Sequence, residues 1–430
     1  MIRASIFGHG RAANDGRGSG WRCNHRYMGR GGVGLGTGTF AITDIGVTAL
    51  SRGGRRGYVR PSFLPPPRAP TARPAAVPLL RSTALRRTMT AFPGSRRVAA
   101  GMSLRLFALR ASDDLGQKIA DALGEPLASH EEREFEDGEH KARPLDTVRG
   151  TDVYVVQSLH GGPLESANDK LCRLLFFIGA LRDAGAHRVT ALIPYLCYAR
   201  KDRRTRPGDP VTTRYIASLF EAVGTDAIVT LEVHNSAAFE NAFRCPTVAL
   251  TSAPLFVDYW QTPGRQVPAD DDVCVVSPDS GGVKRAELFR EALQAATGRP
   301  VAKGLADKHR SSGGIGGDFF AGDVAGRTAV IVDDLLATGA TLLHAARCAR
   351  QAGARRVIAL VTHGLFTPGA AEAIADPAID RLAVTDTVPP FRLGDDAPHG
   401  KIDTVDAAPL FAEAVRRLHG NETLGDLLAL

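Results

Sequence analysis

The segment 327–342, RTAVIVDDLLATGATL, restricts the possible folds of this chain more than any other stretch. Its β-branched apolar run, 328–332, is typical of a strand buried on both faces of a parallel sheet. Two adjacent carboxylates, Asp333 and Asp334, follow that run, and a loop of small residues comes next. Good helix formers continue from Leu342. The segment therefore predicts a buried strand, an acidic pair, a short loop and a helix.

The loop of this segment has the composition of a phosphate-binding turn. Backbone N–H groups at a helix N-terminus lack partners within the helix and favour an anion. Two acids that could hold sugar hydroxyls or a hydrated metal stand beside the loop, so the combination favours a phosphorylated sugar over a free base. A polar strand end followed by a plain glycine turn would look the same, and the segment alone leaves both interpretations open. The loop residues are Ala337, Thr338, Gly339, Ala340 and Thr341.

Predicted strands and helices alternate from Met102 onward. The strands are predicted at 104–109, 132–135, 152–157, 188–194, 227–233, 273–276, 328–332, 356–362 and 381–384. The helices are predicted at 113–123, 167–184, 212–222, 283–296, 342–350, 369–374, 409–419 and 422–430. Alternation at these lengths predicts parallel sheets with helices on both faces, and ligands bind beyond the carboxyl ends of such strands.

Polar side chains are concentrated where the predicted strands of the first half end. Five cations fall within residues 200–206, a run that begins with Arg200, Lys201 and Asp202. Because arginine forks match phosphate oxygens, this position favours a polyphosphate, although a solvated loop has the same composition. His234 ends a further strand, where it could reach a metal or a nucleotide phosphate or be purely structural.

Two glycine-containing segments follow predicted strands in the second half. The first is the loop Asp279, Ser280, Gly281 and Gly282. Glycines at a helix start let the backbone approach a pyrophosphate, and the aspartate can hold the accompanying metal; a plain glycine turn is the alternative. In the second segment Lys308 and Arg310 precede four glycines, which predicts either a mobile loop that closes over a charged substrate or an ordinary hairpin.

Residues 1–101 differ in composition from the rest of the chain. They contain 17 Arg, no Lys and two acids, a net charge of +15, so the remainder carries about −8 of the total of +7. Tracts rich in Gly, Arg and Pro without periodicity predict a disordered leader. It is interpreted as an organelle transit peptide, as an RNA-binding tail or, preferably, as an over-extended start before a true beginning at Met102. The basic charge is therefore no argument for nucleic-acid binding by the body.

The cysteines and the apolar runs indicate where the protein resides. The six cysteines show no CxxC spacing and mostly fall inside apolar runs. This is typical of buried thiols in a reducing compartment, so a cytoplasmic location is predicted. No run approaches the roughly 18 apolar residues that a membrane span needs, and no membrane partner is expected.

Eight motifs together resemble the ribose-phosphate pyrophosphokinase (PRPP synthetase) family. In chain order they are FEDGE, VRGTDVYVVQS, IPYLCYARKDRR, PVTTRYIASL, EVHN, VVSPDSGGVKRA, GDVAGRTAVIVDD and VTHGLF, and the resemblance covers residues 104–430. It implies an α/β protein of two tandem phosphoribosyltransferase-like domains with parallel sheets flanked by helices. The implied divisions are the disordered leader 1–101, an ATP-side domain 102–249, a ribose 5-phosphate-side domain 250–404, and a helical tail 405–430 that packs on the first domain.

The resemblance also implies an activity. A member of this family is a kinase-like transferase of nucleotide biosynthesis that converts ATP and D-ribose 5-phosphate to 5-phosphoribosyl 1-pyrophosphate (PRPP) and AMP with Mg²⁺. It works as a dimer-based homo-oligomer, with a hexamer expected, and has no nucleic-acid partner.

By the same resemblance each candidate residue receives a role. Lys308 and Arg310 are the catalytic pair. Asp333 and Asp334 hold the ribose hydroxyls, and the loop residues Ala337, Thr338, Gly339, Ala340 and Thr341 wrap the 5-phosphate. Asp279, Ser280, Gly281 and Gly282 form the pyrophosphate loop, and His234 and Asp279 bind the metal. ATP is bound by Arg200, Lys201, Asp202 and His234, with Phe135, Asp137 and Glu139 reaching the adenine from a neighbouring subunit.

Two alternatives stand beside this interpretation. A non-catalytic homologue that regulates an active synthetase would have no need of Lys308, Arg310, His234 and Asp279. A phosphoribosyltransferase would share the loop at 333–341, but that class has one α/β domain and no cationic loop for a nucleoside triphosphate. Several residues depart from the commonest family pattern, namely Lys201, Ala337, Ala340 and the run Asn235, Ser236 and Ala237 after the histidine.

Overall fold

The computed structural model describes residues 101–262, 271–308 and 318–429. The disorder predicted for the leader, the mobile loop at 309–317 and the role of Arg310 lie outside these residues. For Lys308 the structure describes the backbone alone.

The described chain contains the strands and helices that the sequence predicts for an α/β protein, together with further strands and helices that it does not predict. Its strands are β1 (Leu104–Ala108), β2 (His130–Glu134), β3 (His140–Pro144), β4 (Asp152–Val156), β5 (Arg188–Ile193), β6 (Ala227–Leu231), β7 (Thr247–Leu250), β8 (Val273–Ser277), β9 (Ala302–Lys308), β10 (Asp318–Gly322), β11 (Thr328–Leu336), β12 (Arg356–Gly364), β13 (Arg381–Thr385) and β14 (Ile402–Val405). Its helices are α1 (Asp113–Leu123), α2 (Ala167–Asp183), α3 (Thr212–Ala222), α4 (Ser236–Ala242), α5 (Ala253–Gln261), α6 (Val283–Thr297), α7 (Ala340–Gln351), α8 (Ala370–Ala375) and α9 (Ala408–Gly420).

The strands form two main sheets. The first has the order β1-β4-β5-β6-β7 and is parallel throughout. The second has the order β10-β9-β8-β11-β12-β13-β14 and is parallel except for the β9–β10 pair. The central strands β4, β5 and β8 are buried along their whole length, as their continuous apolar runs predict. The predicted α/β class with helix-flanked parallel sheets is confirmed.

One predicted strand lies outside the main sheets. The predicted strand 132–135 falls on β2, which ends at Glu134 and pairs antiparallel with β3 in a separate hairpin. Its sequence, HEERE, has no apolar run that a central parallel strand would need. The charged FEDGE segment forms the turn at the tip of this hairpin.

Strand β11 is longer than its apolar run. It continues through Asp333 and Asp334 to Leu336, because Leu335 and Leu336 pair with His363 and Gly364 of β12. The acidic pair therefore lies inside the last part of the strand, and the pairing of β11 with β12 holds the backbone on both sides of Asp334.

The C-terminal region packs against the first half. Helix α9 lies against α1, and the His419 imidazole donates through Nδ1 to Asp152 Oδ2 at 2.8 Å. The helix predicted over 422–430 is wrong apart from a single 3-10 turn at Gly425–Leu427. Beyond it the chain is extended, because the Ala429 N–H donates to the Ala249 carbonyl oxygen at the edge of the first sheet.

Among the described helices, none combines the length and apolar character needed to cross a bilayer.

Candidate functional site

The segments that follow β5 and β6 meet the carboxyl ends of β11 and β12 at an open pocket. The pocket lies between residues of the first and second sheets, where the topology of open α/β sheets favours ligand binding. Three of the sequence-predicted site residues, Arg200, His234 and Asp334, lie together in its wall. The full lining is Tyr195, Leu196, Ala199, Arg200, Leu231, Glu232, Val233, His234, Asp334, Leu335 and His363.

Asp334 joins the two halves of the chain. Its Oδ2 accepts a hydrogen bond from His234 Nδ1 at 2.9 Å, and its Oδ1 lies 3.3 Å from Nη1 of Arg285. Burial opposes ionisation of this carboxyl, but the bond from His234 and the charge of Arg285 outweigh it and hold the pKa well below its usual range. The same hydrogen bond raises the pKa of His234 against the opposing effect of its burial.

Asp333 has a different environment from its neighbour. Its Oδ1 accepts the Asp334 backbone N–H at 2.9 Å and lies 3.7 Å from Arg285. Burial, together with the negative charge of Asp334, raises the pKa of Asp333. Its side chain is 17% exposed, against 9% for Asp334, so Asp333 is the more accessible of the two acids to a sugar hydroxyl.

The predicted phosphate loop ends at the start of α7. Gly339 is the N-cap residue with φ +77°, and a Cβ at this position would lie 2.7 Å from the Ala373 Cβ. No L residue with a side chain fits that conformation and space without strain. The loop thus presents the first turn of a twelve-residue helix beside the acidic pair. The Ala340 N–H lies 3.4 Å from Thr338 Oγ1, a long and weak contact.

The predicted pyrophosphate loop is folded onto its own aspartate. Asp279 Oδ1 accepts the backbone N–H groups of Gly281 at 2.9 Å and Gly282 at 3.0 Å. The N–H groups expected to face a pyrophosphate therefore already have a partner, and Asp279 is not among the residues that line the pocket. Ser280 lies between Asp279 and Gly281 in the same turn.

The first three residues of the charged run at 200–206 have different environments. Arg200 lines the pocket and, within the described residues, is in no ion pair. Lys201 instead binds Asp209 Oδ2 at 2.7 Å and thereby closes its own loop. Asp202 accepts from Asn235 Nδ2 at 2.6 Å, which ties the loop to the start of α4.

Phe135, Asp137 and Glu139 lie in the turn of the β2–β3 hairpin and not in the pocket wall. The Phe135 N–H donates to the Glu139 carbonyl oxygen at 2.8 Å, and the Glu139 N–H donates to Asp137 Oδ1 at 3.1 Å. Asp137 and Glu139 are exposed at the hairpin tip. Within one subunit these three residues are not brought to the predicted nucleotide site.

Sequence reasoning missed three residues that organise the pocket. Arg285 and Glu232 form an ion pair with Nε 3.1 Å from Oε2. His363 donates through Nε2 to the Leu231 carbonyl oxygen at 2.9 Å and so links β12 to β6. Arg285 is the arginine of the quoted VKRA motif and Glu232 is the glutamate of EVHN, so the motifs contained both residues, but only Glu232 stands directly at a strand end.

The described residues fit a magnesium ion that takes most of its ligands from substrate and water. They contain no group of three or more His, Cys, Asp or Glu side chains placed to hold a metal. Mg²⁺ usually keeps several waters and is bound by one or two carboxylates plus substrate phosphates, so a closed protein cage is not required. The second carboxylate oxygen of Asp279 and Nε2 of His234 remain as atoms that could bind the metal, since Nδ1 of that imidazole already binds Asp334.

The fold and the pocket together define an α/β protein of the phosphoribosyltransferase type, with an acidic pair and a phosphate-sized loop at a strand end. Two family models match the chain, the N-terminal domain of ribose phosphate pyrophosphokinase over residues 104–224 and the phosphoribosyl synthetase-associated domain over residues 319–429. The chain belongs to the ribose-phosphate pyrophosphokinase family of enzymes.

Similar proteins cover most of the body. Ribose-phosphate pyrophosphokinase 2 of Enterococcus faecalis is 37% identical over 325 residues, which is 75% of this chain and 95% of that protein. The ribose-phosphate pyrophosphokinase of Clostridium tetani is 35% identical, covering 74% of this chain and 94% of that protein. The crystal structure of phosphoribosylpyrophosphate synthetase from Mycobacterium smegmatis matches with a TM-score of 0.64 and 33% identity, over 74% of this chain and 99% of that one.

Proposed function

We propose that this protein transfers the terminal diphosphate of ATP to the 1-hydroxyl of D-ribose 5-phosphate, giving PRPP and AMP. In this reaction the 1-hydroxyl loses its proton, its oxygen forms a bond to the β-phosphorus, the bond from that phosphorus to the α,β-bridging oxygen breaks, and AMP leaves with that oxygen. Such a transfer depends mainly on positioning and on neutralising charge.

The observation that carries this proposal is the contact between the two halves at the pocket. His234 and Arg200 from the first half stand beside Asp334 from the second, with His234 Nδ1 2.9 Å from Asp334 Oδ2. A sugar-phosphate acceptor held at β11 would thereby lie next to a nucleotide held at β5 and β6. A phosphoribosyltransferase with a single α/β domain has no second strand end to contribute this side.

In the proposed complex each residue acts through an ordinary polar contact. Asp333 accepts hydrogen bonds from ribose hydroxyls, with Asp334 held behind it, and residues 337–341 with the start of α7 receive the 5-phosphate. Arg200 contacts ATP phosphates through its guanidinium, which is better placed for this than Lys201. We propose that Lys308 and Arg310 stabilise charge on the transferring group.

Mg²⁺, when bound with ATP, would neutralise charge on the phosphate oxygens. We propose that Asp279 and His234 hold it together with phosphate oxygens and water. The Asp279 side chain would keep one oxygen on its own loop while the other faces the ion.

We further propose a cytoplasmic homo-oligomer built from dimers, in which the hairpin tip with Phe135, Asp137 and Glu139 reaches the adenine of a neighbouring subunit. The exposed position of that tip, away from the pocket of its own subunit, supports this. We also propose the division into domains 102–249 and 250–404 with a tail at 405–430. A mass measurement in solution would test the hexamer expected from the family resemblance.

The deciding experiment is AMP release from ATP by the purified full chain, measured with and without ribose 5-phosphate and with and without Mg²⁺. We expect release that requires all three components and yields PRPP in equal amount. Folded protein that releases no AMP above background would refute the proposed function and favour a non-catalytic regulator.

A further inference from the structure

Arg285 lies at the point where carboxylates from both halves of the chain converge. It belongs to the first turn of α6, directly after the 279–282 loop, and its side chain is 12% exposed. Its Nε is 3.1 Å from Glu232 Oε2, and its Nη1 is 3.3 Å from Asp334 Oδ1 and 3.7 Å from Asp333 Oδ1. Arg285 is not in the pocket wall, whereas Glu232 and Asp334 are. Any effect of Arg285 on a ligand must therefore pass through its partners.

Glu232 is a fixed anchor for this guanidinium. Its second oxygen, Oε1, accepts hydrogen bonds from Thr251 Oγ1 at 2.9 Å, from the Ser252 N–H at 2.9 Å and from Ser252 Oγ at 3.1 Å. Its backbone has φ +41°, a conformation that non-glycine residues keep only where surrounding contacts enforce it. Both carboxylate oxygens of Glu232 are thus used within the protein.

Asp334 is occupied in the same way. One of its oxygens faces Arg285 and the other accepts from His234. A carboxylate whose two oxygens are both bound to fixed partners has a defined orientation. Among the described residues, Asp334 is the hydrogen-bond partner of the His234 side chain, so the orientation of that imidazole is set by the same guanidinium two contacts away.

We propose that Arg285, anchored by Glu232, is a positioning residue that fixes the acceptor-side acidic pair relative to His234 on the nucleotide side. This inference rests on the proposed function and adds one residue pair to it. Arg285 keeps Asp334 bound to His234 and leaves Asp333 as the acid that meets the sugar. The contact thereby aligns the two substrates and does not merely stabilise the fold.

The alternative is that Arg285 only compensates buried negative charge. In that case the positive charge would matter for stability alone, and a lysine would neutralise the nearby carboxylates almost as well. Alignment instead needs the planar fork, because only a guanidinium reaches Glu232 through Nε and the acidic pair through Nη1 at once. Lysine at this position therefore separates the two explanations.

The test uses the full chain with the variants Arg285→Lys, Glu232→Gln and the double variant. The matched control is Arg290→Lys, because Arg290 is on the same helix and pairs with Glu287 away from the pocket. For each protein, kcat, the KM for ribose 5-phosphate, the KM for ATP and the melting temperature are measured. We expect Arg285→Lys to lower kcat/KM for ribose 5-phosphate by about tenfold or more, and Arg290→Lys to change it by less than about twofold.

The double variant tests whether the two residues act together. If Glu232 acts through Arg285, its substitution adds little to that of Arg285, so the double variant loses less than the product of the single losses. Independent, multiplicative losses would overturn the anchoring role of Glu232. Arg285→Lys with wild-type kcat and KM, and only a lower melting temperature, would overturn the inference.

Failure of the proposed function is distinguishable, because it would appear in the wild-type protein as absent AMP release. If Arg285→Lys does not fold, the kinetics of Glu232→Gln alone test the inference. Glutamine keeps the shape of the side chain and its contacts to Thr251 and Ser252, but it removes the charge that pairs with Arg285. A loss of kcat/KM by about fivefold or more in that variant supports the inference, and a smaller change overturns it.

Discussion

Gly339 shows how one residue determines the shape of the candidate phosphate loop. Its left-handed φ of +77° and the 2.7 Å approach of a hypothetical Cβ to Ala373 are separate obstacles to substitution. The sequence predicted a short loop of small residues here, with a plain glycine turn as the alternative. It could not predict the contact with α8, because that contact joins segments that are distant in sequence.

Gly339→Ala is expected to destabilise the protein by about 2 kcal/mol, from backbone strain together with overpacking. It should also raise the KM for ribose 5-phosphate. The matched control is Gly326→Ala, because Gly326 has φ +73° but nothing within 4 Å of its Cβ position. Urea unfolding and steady-state kinetics measure both effects. An equal loss of stability in the two variants would contradict the role assigned to Ala373.

His160 is expected to make stability fall in acid. Burial and the neighbouring Lys170 lower the pKa of His160 to about 4, so the unfolded chain binds a proton more readily than the folded one below neutral pH. Stability is greatest above the ordinary histidine pKa, where His160 is neutral in both the folded and the unfolded chain. It falls as the pH drops toward 4, because the unfolded chain then binds a proton that the folded chain does not. The loss is at most about 3 kcal/mol.

The measurement compares urea unfolding at pH 7 and pH 5 for the wild type and for His160→Gln. The variant should lose less stability over this interval than the wild type, because glutamine has no proton to bind. Identical pH dependence in both proteins would contradict this account of His160.

At the scale of elements, α9 is attached to the first sheet by a buried ion pair. Arg188 donates to both oxygens of Asp152, at 2.6 and 2.7 Å, and to the Leu418 carbonyl oxygen at 3.2 Å. The Asp152 side chain is 0% exposed. The sequence predicted the amphipathic helix from its periodicity. It gave no sign that the following residues are extended, because their pairing with the first sheet is a tertiary contact.

Arg188→Met is expected to destabilise the protein by about 3–5 kcal/mol, because it leaves the buried Asp152 carboxylate without its main partner. Arg416→Met is the control, since Arg416 pairs with Glu413 at the surface of the same helix and such pairs contribute less than about 1 kcal/mol. Thermal and urea unfolding measure the difference. Similar small losses in both variants would show that Arg188 does not secure α9.

For the whole molecule, one apolar layer joins the two sheets. It contains Leu106 and Tyr154 from the first sheet, Val330 and Ile358 from the second, and Phe411 of α9. The sequence predicted the central strands of both sheets from their apolar runs, but not β7, β9, β10 and β14. The shared layer depends on how the halves face each other, which no local pattern specifies, and the same holds for the Arg285 cluster.

The body is therefore expected to unfold in one cooperative step. Trp260 lies in the shared layer, so its fluorescence in a Trp21→Phe background reports on the contact between the halves. Its urea midpoint should coincide with that of far-UV circular dichroism, which follows both sheets. Separate midpoints would show that the halves unfold independently and would contradict the role of the layer.

The contact between Asp152 and His419 also has a consequence for biosynthesis. The two residues are 267 positions apart, and ribosomes add about 5–20 residues per second, so about 10–50 s pass before the imidazole emerges. During that interval the first sheet has neither α9 nor the extended segment that pairs beside Ala249. We expect the nascent first half to be sensitive to proteases and to bind chaperones, and to lose both properties only after the second half has been translated.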